Sequence, residues 1–254
     1  MLKTDLHIHS FYSTDSKINP DELIEKAIKG NYDAIGITDH FDIIASELST
    51  HNVITFENYC NIMDKLKAKY PQIRLIQGAE VGEYHWFKAE MDKIFSFRVP
   101  EFIIASIHFL SDRFNISVQF EPMLTDEQQR DYYKLNLDMV EEAEFDVLGH
   151  LGIFKRYTVH DSSCCVDLMK DIFRTIIAKG IALEINYSGY NKPVNRLIPY
   201  PEEIALYAEM GGKLISIGSD SHQLVHFDSQ HKRALQEIEN LIPDYKIFLP
   251  KETR

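Results

Sequence analysis

An α/β chain of seven successive βα units, closed into a seven-stranded (β/α)7 barrel, is the fold class that this sequence predicts. Three observations carry that expectation. Short β-branched runs alternate with longer amphipathic stretches along the whole chain, the pattern of βα units feeding a parallel sheet. Seven such pairs follow one another without a break, and 254 residues are enough to bury one full-sized core, so residues 1–254 are expected to form one domain. The phosphate-cradling signatures G-x-x-x-x-G-K-[ST] and G-x-G-x-x-G are absent after every expected strand, which weighs against a nucleotide-cofactor fold. Periodicity alone leaves an open doubly wound sheet as the alternative.

The expected strands cover residues 2–9, 34–38, 74–81, 102–109, 146–150, 181–186 and 214–219, each followed by a helical pattern. In the first helix, Asn19 can cap, Pro20 fits the first turn, Asp21 and Glu22 complement the dipole, and Gly30 ends the element. Thr125 with Gln128 reads as a capping box opening a helix that runs through Glu144. Pro201-Glu202-Glu203 opens another ahead of Gly211-Gly212. Residues 41–54 and 159–165 read as long loops, since neither shifts toward Gly, Ser or Pro as a linker would.

Composition narrows the partners. Asp and Glu total 39 against 27 Lys and Arg, a net charge of -12, the wrong sign for a chain that neutralises phosphates along a nucleic acid or an anionic membrane. No apolar run approaches the roughly 18 residues of a membrane span, and Lys3 and Asp5 stand where a signal peptide would begin its apolar stretch, so a cytoplasmic location is expected. Cys60 stands alone and Cys164 and Cys165 are adjacent, which excludes a disulfide framework and a thiolate zinc site.

The histidines are placed unevenly. Parallel-barrel chemistry gathers at the C-terminal ends of the strands, and here those ends carry His7 and His9, then Asp39-His40, Glu80, His108, His150, and Asp220-Ser221-His222. Residues i and i+2 of a strand face the same way, so His7 with His9, and Asp220 with His222 if the extended backbone continues past Ser219, form two pincers. A single histidine at a strand end is more often a hydrogen-bonded rim residue than a ligand, and a single Asp after Gly-Ser more often a helix cap. Jointly, though, these groups converge on one cavity, where desolvation and carboxylate repulsion would be costly without cations. Imidazole and carboxylate without thiolate suit Zn, Mn or Fe. With Asp15, nine candidates suffice for two to three divalent ions sharing a bridging carboxylate. Three such ions would outweigh the carboxylates of Asp15, Glu80 and Asp220, so the site would attract a phosphate dianion despite the acidic chain. His51, His85, His160, His226 and His231 are taken as surface residues.

The ordered set H-x-H (His7, His9), T-D-H (Asp39, His40), G-x-E (Glu80), S-x-H (His108), G-H (His150) and G-S-D-x-H (Asp220, His222) resembles the polymerase and histidinol phosphatase (PHP) metal-dependent phosphoesterases, and within them the stand-alone histidinol phosphatases. The resemblance implies a distorted TIM-like barrel and a trinuclear site. In it, His7, His9, Glu80 and Asp220 would hold one ion, Glu80, His108 and His150 a second, and Asp15, His40 and His222 the third, with Glu80 as the bridge. It also implies basic residues near the substrate phosphate: Arg156 after the fifth strand, and either Lys192 or Arg196 after the sixth.

On this reading the activity is hydrolysis of a small-molecule phosphate monoester, L-histidinol phosphate, with Glu80, Asp220 and Arg156 at the catalytic centre. Clustered ions supply both nucleophile and charge stabilisation, so no side-chain nucleophile is needed. Ser10, Ser106 and Ser221 are expected to support ligands rather than react, and Asp39 either to do the same or to cap the following segment. Three competitors differ in class or substrate. A PHP phosphatase for another small phosphate, such as a nucleoside phosphate, would share every ligand. An amidohydrolase would need a bridging Lys on the fourth strand, which ends instead in His108. A noncatalytic metal-binding regulatory module would be expected to have lost ligands. The oligomeric state is left open.

Overall fold

The computed structural model describes residues 2–44, 49–50 and 54–251. The chain runs β1 (Thr4–Ile8), α1 (Pro20–Lys29), β2 (Ala34–Ile37), β3 (Ile43–Ile44), β4 (Ser49–Thr50), α2 (Phe56–Lys69), β5 (Arg74–Gly82) and α3 (Lys88–Ile94). It continues through β6 (Phe102–Ser106), α4 (Asp126–Glu142), β7 (Val147–Leu148), α5 (Val166–Lys179), β8 (Ala182–Asn186), α6 (Pro201–Glu209), β9 (Leu214–Gly218), α7 (His231–Leu241) and β10 (Lys246–Ile247). The main sheet is parallel, in the order β1-β2-β5-β6-β7-β8-β9-β10. It curls until the end of β9 meets β1, where Asp220 N–H donates to His7 O at 2.8 Å and His9 N–H to Ser221 O at 3.1 Å.

The seven βα units are present, but the sheet has eight strands, which corrects the seven-stranded expectation. The addition, β10, is two residues paired with Leu214 and Ile215 at the start of β9. Two residues are too few to show a period. Residues 43–44 and 49–50, inside the expected loop, form an antiparallel pair, and 163–165 form a short 3-10 turn.

Helix starts follow the local chemistry. Asn19 Oδ1 accepts from Asp21 N–H at 2.9 Å, and Thr125 and Gln128 make a reciprocal capping box. Helix α4 stops at Glu142, two residues short of expectation. At α6, the Glu203 carboxylate accepts from Tyr200 N–H at 2.9 Å.

Inside the curl, Leu6, Ile76, Phe102, Ile104 and Val147 pack the bottom, while a larger apolar layer joins the strands to the helices. A Cβ at Gly78 would lie 2.6 Å from the Phe102 ring, so only glycine admits that plug. The β1–β2 register slips between Asp5 and Ile8, a bulge. Leu6 therefore joins the bottom layer, whereas His7 and His9 turn together into the mouth above it. Two histidines read as surface residues are buried. His231 Nε2 meets Thr4 O at 2.9 Å, and His160 accepts from Leu124 N–H at 3.2 Å, so each serves a backbone group. His51 lies outside the described residues.

Candidate metal centre

Glu80 is the hub of the mouth. It is 1% exposed and its two oxygens face different groups. Oε1 lies 2.8 Å from His150 Nε2 and 3.3 Å from His108 Nε2, and accepts from Ser106 Oγ at 3.0 Å. Oε2 lies 3.0 Å from His7 Nε2, 3.2 Å from His9 Nε2 and 3.4 Å from His40 Nδ1. Asp220 Oδ1 stands 3.7 and 3.5 Å from the same His7 and His9 nitrogens. At the rim, Asp15 Oδ2 lies 3.1 Å from His222 Nε2 and 3.6 Å from His40 Nε2. The His9 ring is stacked with both His40 and His222. Seven of the nine candidate ligands line one cavity, and the fully buried His7 and His9 meet two of those seven, Glu80 and Asp220.

Among the described residues, three sets of donor atoms lie close enough to hold one ion each: His7, His9 and Asp220; His7, Glu80 and His150; and His9, His40 and His222. The donor chemistry fits cations. With Nδ1–H given to Glu184, a neutral His7 turns the lone pair of Nε2 toward His9 Nε2 at 3.1 Å and Glu80 Oε2 at 3.0 Å in a buried site, a convergence of donor atoms that suits a cation. Burial pushes the Glu80 carboxyl up, yet the charges of His7 and His40 hold it well below the usual carboxylate range. Burial opposes ionisation of Asp220 too, and His7, His9 and Arg156 outweigh it. His222 is pulled down by burial and by the neighbouring His9.

The pincer at 220–222 is built differently from expectation. Strand β9 ends at Gly218, and Asp220 has a φ of 48°, so a turn, not an extended strand, delivers both side chains. Asp39 braces the loop after β1, accepting from Ser10 N–H at 2.6 Å, Ser10 Oγ at 2.7 Å and Ser13 Oγ at 2.8 Å. Ser221 Oγ, expected to support a ligand, is buried without a hydrogen bond.

Three carboxylates escaped the sequence reading. Glu184, fully buried on β8, accepts from His7 Nδ1 at 2.6 Å and from His150 N–H at 2.6 Å. A Cβ at Gly218 would collide with it, which explains that glycine. Asp42 Oδ2 lies 3.0 Å from His40 Nδ1 and 3.7 Å from His108 Nδ1, while Oδ1 accepts from Gly82 N–H at 2.6 Å. Carboxylates behind imidazoles fix ring orientation and tautomer. Together they also absorb about two charges of the positive excess anticipated for three ions. Glu83 follows β5 at φ 47°, 3% exposed, with Oε1 accepting from His108 and Phe109 N–H at 2.5 and 2.9 Å. A lone Glu in the apolar run Ile181-Ala182-Leu183-Glu184-Ile185 was the available signal for Glu184.

Of the basic candidates, Arg156 reaches the mouth. Its Nη1 donates to Asp220 Oδ2 at 2.9 Å and Nη2 to Ser117 O at 2.8 Å, while Nε is buried with no partner. Lys192 lines a second cavity of about 300 Å³ beside the first, of about 250 Å³. Arg196 does not reach either: it pairs with Glu202 in the first turn of α6 and lies 4.1 Å over the Tyr200 ring, which turns it outward.

Protein as purified should carry more than one equivalent of Zn, Mn or Fe by elemental analysis. Chelation should lower Tm by about 5 °C or more, because ions bound only to the folded state stabilise by mass action. Less than one equivalent, with an unchanged Tm after chelation, would count against the centre.

Known proteins resemble this chain in sequence and in fold. The PHP domain family model matches residues 5–188. A relative named histidinol-phosphatase from Lactococcus lactis is 27% identical over 231 residues, covering 87% of this chain and 85% of its own. One from Thermotoga maritima, named "Probable histidinol-phosphatase", is 28% identical over 243 residues, covering 95% and 93%. The crystal structure of the Lactococcus lactis histidinol phosphate phosphatase with Zn, L-histidinol and phosphate superposes with a TM-score of 0.83 at 26% identity, covering 97% of this chain and 95% of that one. No described helix is long and apolar enough to cross a membrane.

Proposed function

The chain belongs to the PHP domain family, and from that premise we propose that it is a metal-dependent phosphate monoester hydrolase converting L-histidinol phosphate and water to L-histidinol and phosphate, a step of histidine biosynthesis. The observation that carries this reading is the junction at Glu80 of the donor groups with the buried, unpaired Arg156 Nε at the same mouth.

The three donor sets would hold two to three divalent ions, and their nitrogen and oxygen atoms suit Zn, Mn or Fe. Bound there, the ions supply an acidified water and positive charge next to the phosphoryl group. The chain's own residues do the rest. Glu80 faces His7, His9 and His40 with one oxygen and His108 and His150 with the other, which ties these imidazoles into one rigid unit, and Glu184 and Asp42 hold imidazoles from behind. Arg156 offers Nε to a nonbridging phosphate oxygen and so orients the ester for in-line displacement. Water attacks phosphorus as the ester P–O bond breaks, and the proton that the water gives up passes to the departing alkoxide, leaving phosphate and the free alcohol. The relatives' names support the choice of substrate, and their coverage of nearly the whole chain supports carrying it across.

A panel of phosphate monoesters tests the substrate. L-histidinol phosphate should exceed nucleoside monophosphates in kcat/KM by about tenfold or more. A nucleoside phosphate preferred by that margin would replace the substrate while leaving the chemistry in place, and no cleavage of any ester by metal-loaded protein would favour a binding module.

A further inference from the structure

The residue before Arg156 is a lysine that the metal centre does not use. Lys155 is 1% exposed and borders neither cavity of the mouth; with Glu203 it borders a separate one, of about 450 Å³. Its ammonium donates to Glu203 Oε1, which also accepts from Tyr133 Oη at 3.2 Å, and it lies 4.9 Å from the centre of the Tyr200 ring. Glu203 turns its other oxygen to Tyr200 N–H at the start of α6, and Tyr200 Oη donates back to Lys155 O at 3.0 Å. A closed ring of contacts thus ties both the side chain and the carbonyl of Lys155 to the first turn of α6. The short turn at 153–156 is held from α4 as well, since Lys155 N–H donates to Gly152 O at 2.9 Å and Gly152 N–H to Tyr132 Oη at 2.7 Å.

Desolvation offsets most of the attraction in a buried ion pair, so well-packed apolar side chains in the same space would serve stability as well. What the charged pair supplies is direction. An ammonium and a carboxylate in hydrogen-bond contact fix the backbone at residue 155 in one orientation, and the next residue is Arg156. Its guanidinium holds Asp220 Oδ2 and Ser117 O, and its buried Nε is left for a phosphate oxygen. A charge-assisted hydrogen bond weakens steeply as its angle opens, so the aim of that nitrogen matters.

Resting on the phosphatase reading above, we infer that Lys155 and Glu203 are positioning residues, an internal ion pair that sets Arg156 at the angle at which it receives the phosphate. Neither borders the mouth. The pair acts through Arg156, so its contribution to turnover exists only while Arg156 is present.

A double-mutant cycle reads that dependence. Lys155→Met combined with Glu203→Gln removes both charges, nearly keeps the side-chain volumes and leaves an oxygen for Tyr200 N–H. In metal-loaded protein this charge-free pair should lower kcat/KM for L-histidinol phosphate by about tenfold, with metal content unchanged. Made in Arg156→Ala, it should change kcat/KM by less than about twofold. A role in stability alone gives the same loss on both backgrounds or none on either, and either result overturns the inference. Should the charge-free pair fail to fold, Tyr200→Phe removes only the hydroxyl that holds Lys155 O; it should lower kcat/KM by about threefold in otherwise wild-type protein and leave it unchanged in Arg156→Ala, and equal effects on the two backgrounds overturn the inference. Calorimetric binding of inorganic phosphate to the same metal-loaded proteins is the second readout. Affinity should fall by about tenfold with the charge-free pair, or about threefold with Tyr200→Phe, and stay within about twofold when either is added to Arg156→Ala. If wild type cleaves no ester, the phosphatase reading falls and the calorimetric cycle decides alone. Coupling to Arg156 then upholds the positioning role, and additive effects, or no phosphate binding by wild type, overturn it.

Discussion

Replacing Glu80 by Gln is expected to lower kcat by about a hundredfold or more and to lower metal content with it. Glu80 faces His108 and His150 with one oxygen and His7, His9 and His40 with the other. Gln keeps the shape, so the fold should persist. What disappears is one negative charge that faces five imidazoles, and with it the centre that would acidify water. Elemental analysis and steady-state kinetics on the same preparation read both effects. A Glu80→Gln protein retaining full metal and full turnover would remove Glu80 from the bridging position.

The second large effect is expected at Arg156, through a different constant. Phosphate is present in the ground state and in the transition state, so Arg156→Ala should raise KM. It should also lower kcat to the extent that the contact tightens as charge moves onto the nonbridging oxygens. Loss of one such donor costs about 10²-fold or more in kcat/KM. Metal content should not change, which separates this variant from Glu80→Gln. Lys192→Ala should show a smaller rise in KM, since Lys192 lines the neighbouring cavity. Arg196→Ala should stay within about twofold of wild type, because its guanidinium is spent on Glu202 and Tyr200 outside the mouth. Wild-type kinetics in Arg156→Ala would exclude Arg156 from substrate binding.

The residues differ in how plainly they announced themselves. The βα alternation and the caps at Asn19, Pro20, Thr125 and Gln128 are local signals, set by a few neighbouring residues, and the structure follows them closely. Strand β10 is pairing without pattern: Lys246 and Ile247 gain their place from β9, not from their own sequence. The His and carboxylate positions at the strand ends were legible because parallel topology alone brings strand ends together. Glu184, Asp42 and Glu83 were not, since each acts from behind or beside a ligand and belongs to no short motif. The turn at Asp220 shows the other kind of miss, in which the right residues arrive by a left-handed backbone that i, i+2 reasoning does not anticipate. Choosing between Lys192 and Arg196 needed the position of Glu202, which the loop sequence does not give.

Metal-dependent hydrolysis of L-histidinol phosphate at the Glu80 centre can be read from its product. The most direct measurement is phosphate release from L-histidinol phosphate by purified protein that has been stripped of metal and then resupplied with Zn, Mn or Fe. Release should fall to background on stripping and return as more than one equivalent of ion rebinds. Undiminished release from fully stripped protein, or no release after the ions have rebound, would contradict it.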